Sequence, residues 1–136
     1  MKEGICFIDT DVFVNALVPL DKEKNKSSRI LLEKIEHGVL TAVTDFLVLI
    51  EAFHILEKCK DRDIATDMVR NLLSLPNITF IAVDSVTFFE SLKRTAKYNL
   101  KSNDLVHYTV ALLHNATFFY SYDNDFNDLE IKRIEP

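Results

Sequence analysis

Two carboxylates interrupt an apolar run near the start of the chain. In ICFIDTDVF, residues 5–13, Asp9 and Asp11 lie between Ile5–Ile8 and Val12–Phe13. A charge in such surroundings is costly unless it is hydrogen-bonded, paired or bound to a metal. The pattern returns in TFFYSYDNDFND, residues 117–128, where an apolar run ends in Ser121, Asp123 and Asp125. Asp104 follows in SNDLVHYTVALL, and Glu51 sits in DFLVLIEAFHILEKC with apolar residues on both sides. Carboxylates sharing one site repel and raise each other's pKa, so a cluster of this kind is tolerable when it holds divalent cations. Ligands of oxygen alone favour the hard ions Mg²⁺ or Mn²⁺ over Zn²⁺.

Each acid also has a purely structural reading. Asp9 at a strand end is readily a helix N-cap. Asp104 falls in the first turn of its helix, where it complements the helix dipole. Glu51 shares a helical face with Leu47, His54 and Lys58, a stripe that faces either solvent or an acidic mouth. The elements around these residues bear on the choice. Strands are expected over residues 5–9, 39–43, 78–83, 117–121 and, weakly, 131–134. They are short and mostly unbroken by polar residues, as strands buried on both faces should be. Helical periods fill residues 27–37, 45–59, 63–75, 84–98 and 102–115. Ser27 or Ser28, Asp84 or Ser85, and Ser102 or Asn103 stand as N-cap candidates, and Gly38 marks a helix end.

Strands alternating with helices imply parallel β-α-β units and a three-layer α/β/α sandwich with a central parallel sheet of four to five strands. Ligands of such open sheets bind beyond the carboxyl ends of the strands. Asp9 and Asp123 follow two such ends. The helix carrying Asp104 feeds the 117–121 strand, so its N-terminus is expected near the same rim.

The 136 residues fit one domain, with no repeat or composition break. Two glycines and three prolines leave little room for flexible linkers. No apolar stretch is long and uncharged enough to span a bilayer, and Asp9 and Asp11 break any secretory signal. Cys6 and Cys59 read as buried thiols of a reducing compartment, hence a cytoplasmic protein. A net charge of −5 argues against a simple nucleic-acid-binding module but not against an enzyme whose acids hold cations.

The stretches FIDTDVFVNAL, LIEAFHIL, NDLVHYTVALL and YSYDNDF together resemble the PIN-domain ribonucleases, over nearly the whole chain. Residue by residue, the resemblance makes Asp9, Glu51, Asp104 and Asp123 the catalytic, metal-holding acids. Ser121 matches the small hydroxyl residue two before the last acid, and Asp125 a frequent further acid. Asp11 departs from the pattern, which usually has Asn or Ser there. The resemblance implies a PIN fold and Mg²⁺- or Mn²⁺-dependent cleavage of single-stranded RNA by activated water, leaving a 5′-phosphate and a 3′-hydroxyl. Many small PIN proteins are VapC-type toxins that pair as homodimers, which implies an antitoxin over the cleft; an RNA-processing nuclease without antitoxin is the alternative.

FIDTDVF also resembles the first motif of haloacid-dehalogenase-type phosphatases, with Asp9 as nucleophile and Asp11 as acid/base. Val12 and Phe13, and the closeness of Ser121 to Asp123, depart from that pattern. The pairs Glu51/His54 and Asp104/His107 have the spacing of di-iron bundles, but the strand runs argue against four long helices; His54 and His107 read as packing or surface residues, with a place in the cleft wall the alternative for His107, one turn after Asp104. An inactive binding module is a third alternative. For RNA, two basic clusters are available: Lys22, Lys24, Lys26 and Arg29 in a polar loop leading into a helix, and Lys93, Arg94, Lys97 and Lys101 just before Asp104. Both also fit a solvated surface. The helices of residues 45–75 offer apolar residues for a dimer face or a core.

Overall fold

Short apolar runs form the middle layer of the computed structural model, which describes residues 4–136. The elements in order are β1 Ile5–Ile8, α1 Thr10–Leu17, α2 Lys22–Glu36, β2 Thr41–Asp45, α3 Phe46–Cys59, α4 Arg62–Leu73, β3 Ile78–Ile81, α5 Ser85–Leu92, α6 Ser102–Leu113, β4 Phe118–Tyr120 and β5 Lys132–Ile134, with a 3-10 turn at Asn124–Phe126. Every strand pair is parallel, in the order β3-β2-β1-β4-β5. This is the expected α/β/α sandwich, with five strands. From β1 the chain winds outward through β2 and β3 on one side, then returns to place β4 and β5 on the other. The order reverses between β1 and β4, which is where an open parallel sheet leaves a crevice.

Register explains the core. Phe7 of β1 lies beside Val43 of β2 and Phe119 of β4. The rings of Phe7 and Phe119 stack at 4.8 Å, and Phe126 meets Phe119 at 4.3 Å. Tyr108 of α6 closes this cluster; its hydroxyl accepts from the Ile131 amide at 2.8 Å, so the one polar atom it buries is satisfied. Phe7, Phe119, Phe126 and Tyr108 are fully buried, and a buried aromatic of this size contributes roughly 1.5–3 kcal/mol through lost apolar exposure.

Aspartate starts the helices. Asp9, Asp21, Asp45, Asp61 and Asp84 cap α1 to α5, each accepting a backbone N–H of the first turn. A side-chain cap of this kind contributes about 1 kcal/mol. At α6 the cap position is Lys101, with no side-chain cap bond, so neither Ser102 nor Asn103 caps it.

Several expected bounds move. The apolar pattern of Val12–Val14 belongs to α1, a helix not foreseen, because Asp9 ends β1 and caps the next element at once. Helix α2 begins at Lys22, capped by Asp21 rather than by Ser27 or Ser28. Lys22, Lys24 and Lys26 are therefore helical, not in a loop, and Ser28 is buried, bonded to the Tyr122 hydroxyl at 2.8 Å. Helix α5 stops at Leu92, not near residue 98, because the amides of Arg94 and Thr95 turn to carbonyls three residues back. Gly38 does follow α2, with φ +78, a conformation that a side chain disfavours. Cys6 is buried, whereas Cys59, the last residue of α3, is exposed and corrects the expectation of two buried thiols. Among the described residues no helix is long and apolar enough to cross a membrane.

Candidate active site in an acidic cleft

Asp9 leaves β1 at the sheet's switch point. Its amide donates to the Tyr120 carbonyl at 3.0 Å, which ties the ends of β1 and β4 together. Its Oδ1 accepts from the Thr10 amide at 2.8 Å and its Oδ2 from the Ser121 hydroxyl at 2.7 Å. The N-cap reading of Asp9 is thus correct, and the same carboxyl still borders the cleft. Ser121 is fully buried below the acids. It also accepts from the Asp123 amide at 3.0 Å, which fixes the turn that carries Asp123.

A cleft of about 350 Å³ opens above these residues, lined by Asp9, Thr10, Asp11, Asn15, Glu51, Asp104 and Asp123 beside Val14, Leu20 and Ile55. Four acids foreseen from separate segments, Asp9, Glu51, Asp104 and Asp123, therefore share one wall. One oxygen each from Asp104, Asp123 and Asp125 lie within 4.8 Å of one another. Asp125 is exposed at the rim, its amide donating to Asp123 Oδ1 at 2.9 Å. Asp11 turns inward from α1: its Oδ2 accepts from the Tyr122 amide at 3.1 Å and lies 3.3 Å from the Ser121 hydroxyl. Its Oδ1 is buried and, among the described residues, has no hydrogen-bond partner.

Glu51 is half-buried and lines the cleft from α3, whereas His54 and Lys58 on the same helical face are exposed. The Thr10 hydroxyl donates to Glu51 Oε1 at 3.0 Å, and Asn103 lies 3.4 Å from Oε2. His107 Nε2 contacts the same Oε1, while His107 Nδ1 bonds Asp45 Oδ2 at 2.8 Å. Asp45 and His107 are both fully buried. The reading of His107 as a packing or surface residue misses this bridge. Thr10 and Asp45 carry no signal of this contact in the sequence, and Asn103, a cap candidate, approaches Glu51 instead. The alternative that places His107 by the cleft rests on the Asp104-x-x-His107 spacing, since one helical turn carries both residues to the same side of α6.

The electrostatics follow from burial and crowding. Burial pushes Asp9 above the usual carboxylate range, against the pull of His107 and the Ser121 bond. Asp11 is pushed up to about 7, by burial and then by the charge of Asp9. Burial and the charges of Asp9 and Asp123 raise Asp104 to about 6. Glu51 moves the other way: burial opposes its ionisation, but its bond and attraction to His107 outweigh that and lower it. His107 rises to about 10; burial disfavours its charge, yet the bonds to Asp45 and Glu51 prevail.

This donor set fits a hard divalent cation. Its free ligands are carboxylate oxygens, the orphaned Asp11 Oδ1 needs a partner, and mutual repulsion calls for positive charge. Both nitrogens of His107 are engaged by carboxyl groups. Among the described residues, the oxygens close enough to share one ion are those of Asp104, Asp123 and Asp125, with Asp9, Asp11 and Glu51 lining the same cleft.

Of the basic residues before α6, Lys93 and Arg94 pair with Glu90 at 3.0 and 2.9 Å, and Lys97 with Glu130 at 2.5 Å. Lys93 and Lys97 are exposed in these pairs and Arg94 only partly so, and exposed pairs contribute little stability.

A parallel sheet with an acid-lined crevice at its switch point defines the class of the protein, and the wider comparison agrees. The chain belongs to the PIN domain family, whose model matches residues 6–132. Among solved structures it is similar to VapBC2 from Rickettsia felis bound to a promoter DNA fragment, at 18% identity and TM-score 0.71, covering 96% of this chain and 98% of that one. It is also similar to VapC20 from Mycobacterium tuberculosis, a toxin cleaving the sarcin-ricin loop, at 16% identity and TM-score 0.78, covering 96% and 99%. FitAcB from Neisseria gonorrhoeae matches at 13% identity and TM-score 0.65, covering 96% of each chain. A sequence search of curated proteins finds no match.

Proposed function

We propose that this protein is a Mg²⁺- or Mn²⁺-dependent endoribonuclease that hydrolyses single-stranded RNA and acts as the toxin of a toxin–antitoxin pair. The observation that carries the reading is the meeting of Asp9, Glu51, Asp104 and Asp123, from four separate segments, in one cleft over buried Ser121. PIN membership and the similarity to toxins solved with their antitoxins support it. A divalent cation bound there would supply an activated water near neutral pH, and a second, if present, would offset charge on the leaving oxygen. The chain's own residues do the rest. Asp9, Glu51, Asp104 and Asp123 would hold the cation, and Ser121 orients Asp9 and the Asp123 turn. Lys93, Arg94, Lys97 and Lys101 supply the phosphate contacts that dominate RNA affinity.

Cleavage of single-stranded RNA, measured with Mg²⁺ or Mn²⁺ and with EDTA, tests the reading beside Asp9→Asn. Activity is expected only with metal, and Asp9→Asn should lose at least about a hundredfold, the scale of removing one preorganised electrostatic group. Products should carry a 5′-phosphate; a 2′,3′-cyclic phosphate sinks the mechanism. A labelled phosphoaspartate would instead favour a phosphatase, and metal-independent RNA binding without cleavage an inactive module. Growth arrest on expression, relieved by the product of a small adjacent upstream reading frame, separates a toxin from a processing nuclease. In the cell we place the protein in the cytoplasm, where its RNA substrate is.

A further inference from the structure

We infer that His107 is a positioning residue: bridging buried Asp45 to Glu51, it clamps one oxygen of Glu51 and leaves the other to serve the cation. The inference rests on the metal-dependent reading above.

The geometry is specific. Nδ1 of His107 lies 2.8 Å from Asp45 Oδ2, and Nε2 contacts Glu51 Oε1. Each ring nitrogen faces a carboxylate oxygen, so the ring is a hydrogen-bonded bridge between the two acids. Oε1 also accepts from the Thr10 hydroxyl at 3.0 Å, whereas Oε2 has only the 3.4 Å approach of Asn103. Glu51 thus offers Oε2 to the cleft. The clamp is anchored from below, since Asp45 Oδ1 accepts from the Val48 amide at 2.8 Å and caps the helix that carries Glu51. The ring of His107 therefore ties Asp45 at the end of β2 to Glu51 of α3 from its own place in α6, fully buried between the two carboxyl groups.

The two amide substitutions separate its bonds. An Asn amide nitrogen falls near the Nδ1 position and keeps the donor to Asp45; a Gln amide nitrogen falls near Nε2 and keeps the donor to Glu51. Mn²⁺ is titrated calorimetrically into the full chain, His107→Asn, His107→Gln, Glu51→Gln and the Asn/Gln double variant, with thermal unfolding of each. His107→Asn should weaken Mn²⁺ binding about 10–100-fold, the usual effect of removing a ligand's hydrogen-bond partner. His107→Gln should stay closer to wild type, and His107→Asn should add nothing on the Glu51→Gln background. Wild-type affinity in His107→Asn, equal losses in both amide variants, or an added loss in the double variant overturns the role. Loss of Mn²⁺ in Asp9→Asn but not in His107→Asn overturns the clamp and leaves the nuclease reading standing. Absence of Mn²⁺ binding by the wild type overturns both. If the His107 variants fail to fold, the wild-type ring decides. Its Nε2 resonance should move as Mg²⁺ is added while Nδ1 stays, and a ring indifferent to Mg²⁺ overturns the role.

Discussion

Asp11 shows how much one residue can alter a site. An Asn there would carry no charge; the carboxylate adds one beside Asp9 and leaves Oδ1 buried without a partner. With Asp11 raised to about 7 and Asp104 to about 6, Asp11 keeps part of its proton at neutrality and Asp104 keeps its own only under mildly acidic conditions. A cation must displace them. Mn²⁺ affinity should therefore climb between about pH 5 and pH 8, with proton release on binding. Calorimetry in buffers of different ionisation enthalpy measures both. The stability linkage has a definite sign. Folded-state values raised above the unfolded 3.8 favour folding most at low pH, and that contribution is lost as pH rises through about 6 and 7. Cations should offset the loss, so thermal stabilisation by Mn²⁺ should be larger at pH 8 than at pH 5, about the ends of that window.

At the scale of elements, the helix caps divide by burial. Asp45 and Asp84 each accept an N–H of the first turn of their helices. Asp84 lies at the surface, and its removal should cost about 1 kcal/mol. Asp45 is fully buried and also holds His107. Asp45→Ala removes the cap and the buried partner of His107 together, a loss of about 3–5 kcal/mol where a buried pair is broken. Urea unfolding of Asp45→Ala and Asp84→Ala side by side checks the contrast; equal costs would show that Asp45 is only a cap.

The whole molecule presents two surfaces that the proposed function must use. Phe46 and Ile50 of α3 and Val86, Phe88, Phe89 and Leu92 of α5 are exposed. A cavity of about 520 Å³, lined by Leu47, Phe88 and Leu92 among others, joins the two helices. Exposed apolar residues gathered this way mark an interaction surface, and we propose that two copies of the chain would pair on it. Ile50→Glu with Phe89→Glu should give a monomer in light scattering while far-UV circular dichroism is unchanged; a dimer that survives places the interface elsewhere. The other surface is basic. Neutralising Lys97 and Lys101 removes two phosphate contacts, so the slope of log affinity against log salt for single-stranded RNA should fall by roughly 1.4. An unchanged slope would return these lysines to ordinary solvated surface.

What the sequence determined by itself was the type and order of most elements and the identity of the cleft acids. Buried parallel strands read as unbroken apolar runs, and acids that interrupt such runs have few structural uses. The carboxyl ends at Asp9 and Asp123 were legible for that reason, as was the sandwich that brings them together. Helix α1 was not, because Val12–Val14 continues the apolar signal of β1 and only the Asp9 cap divides them. Whether Glu51 faced solvent or cleft was undecidable from periodicity, since Glu51 and exposed His54 lie on one helical face. Tertiary structure alone decided it, by packing α6 against α3 so that His107 meets Glu51. The same packing turned Asp45, unremarkable at the junction of a strand and a helix, into the buried anchor of that contact. Pairings between residues some fifty or sixty positions apart leave no local trace, because a side chain's partner across a fold is set by the packing of whole elements and not by its neighbours in the chain.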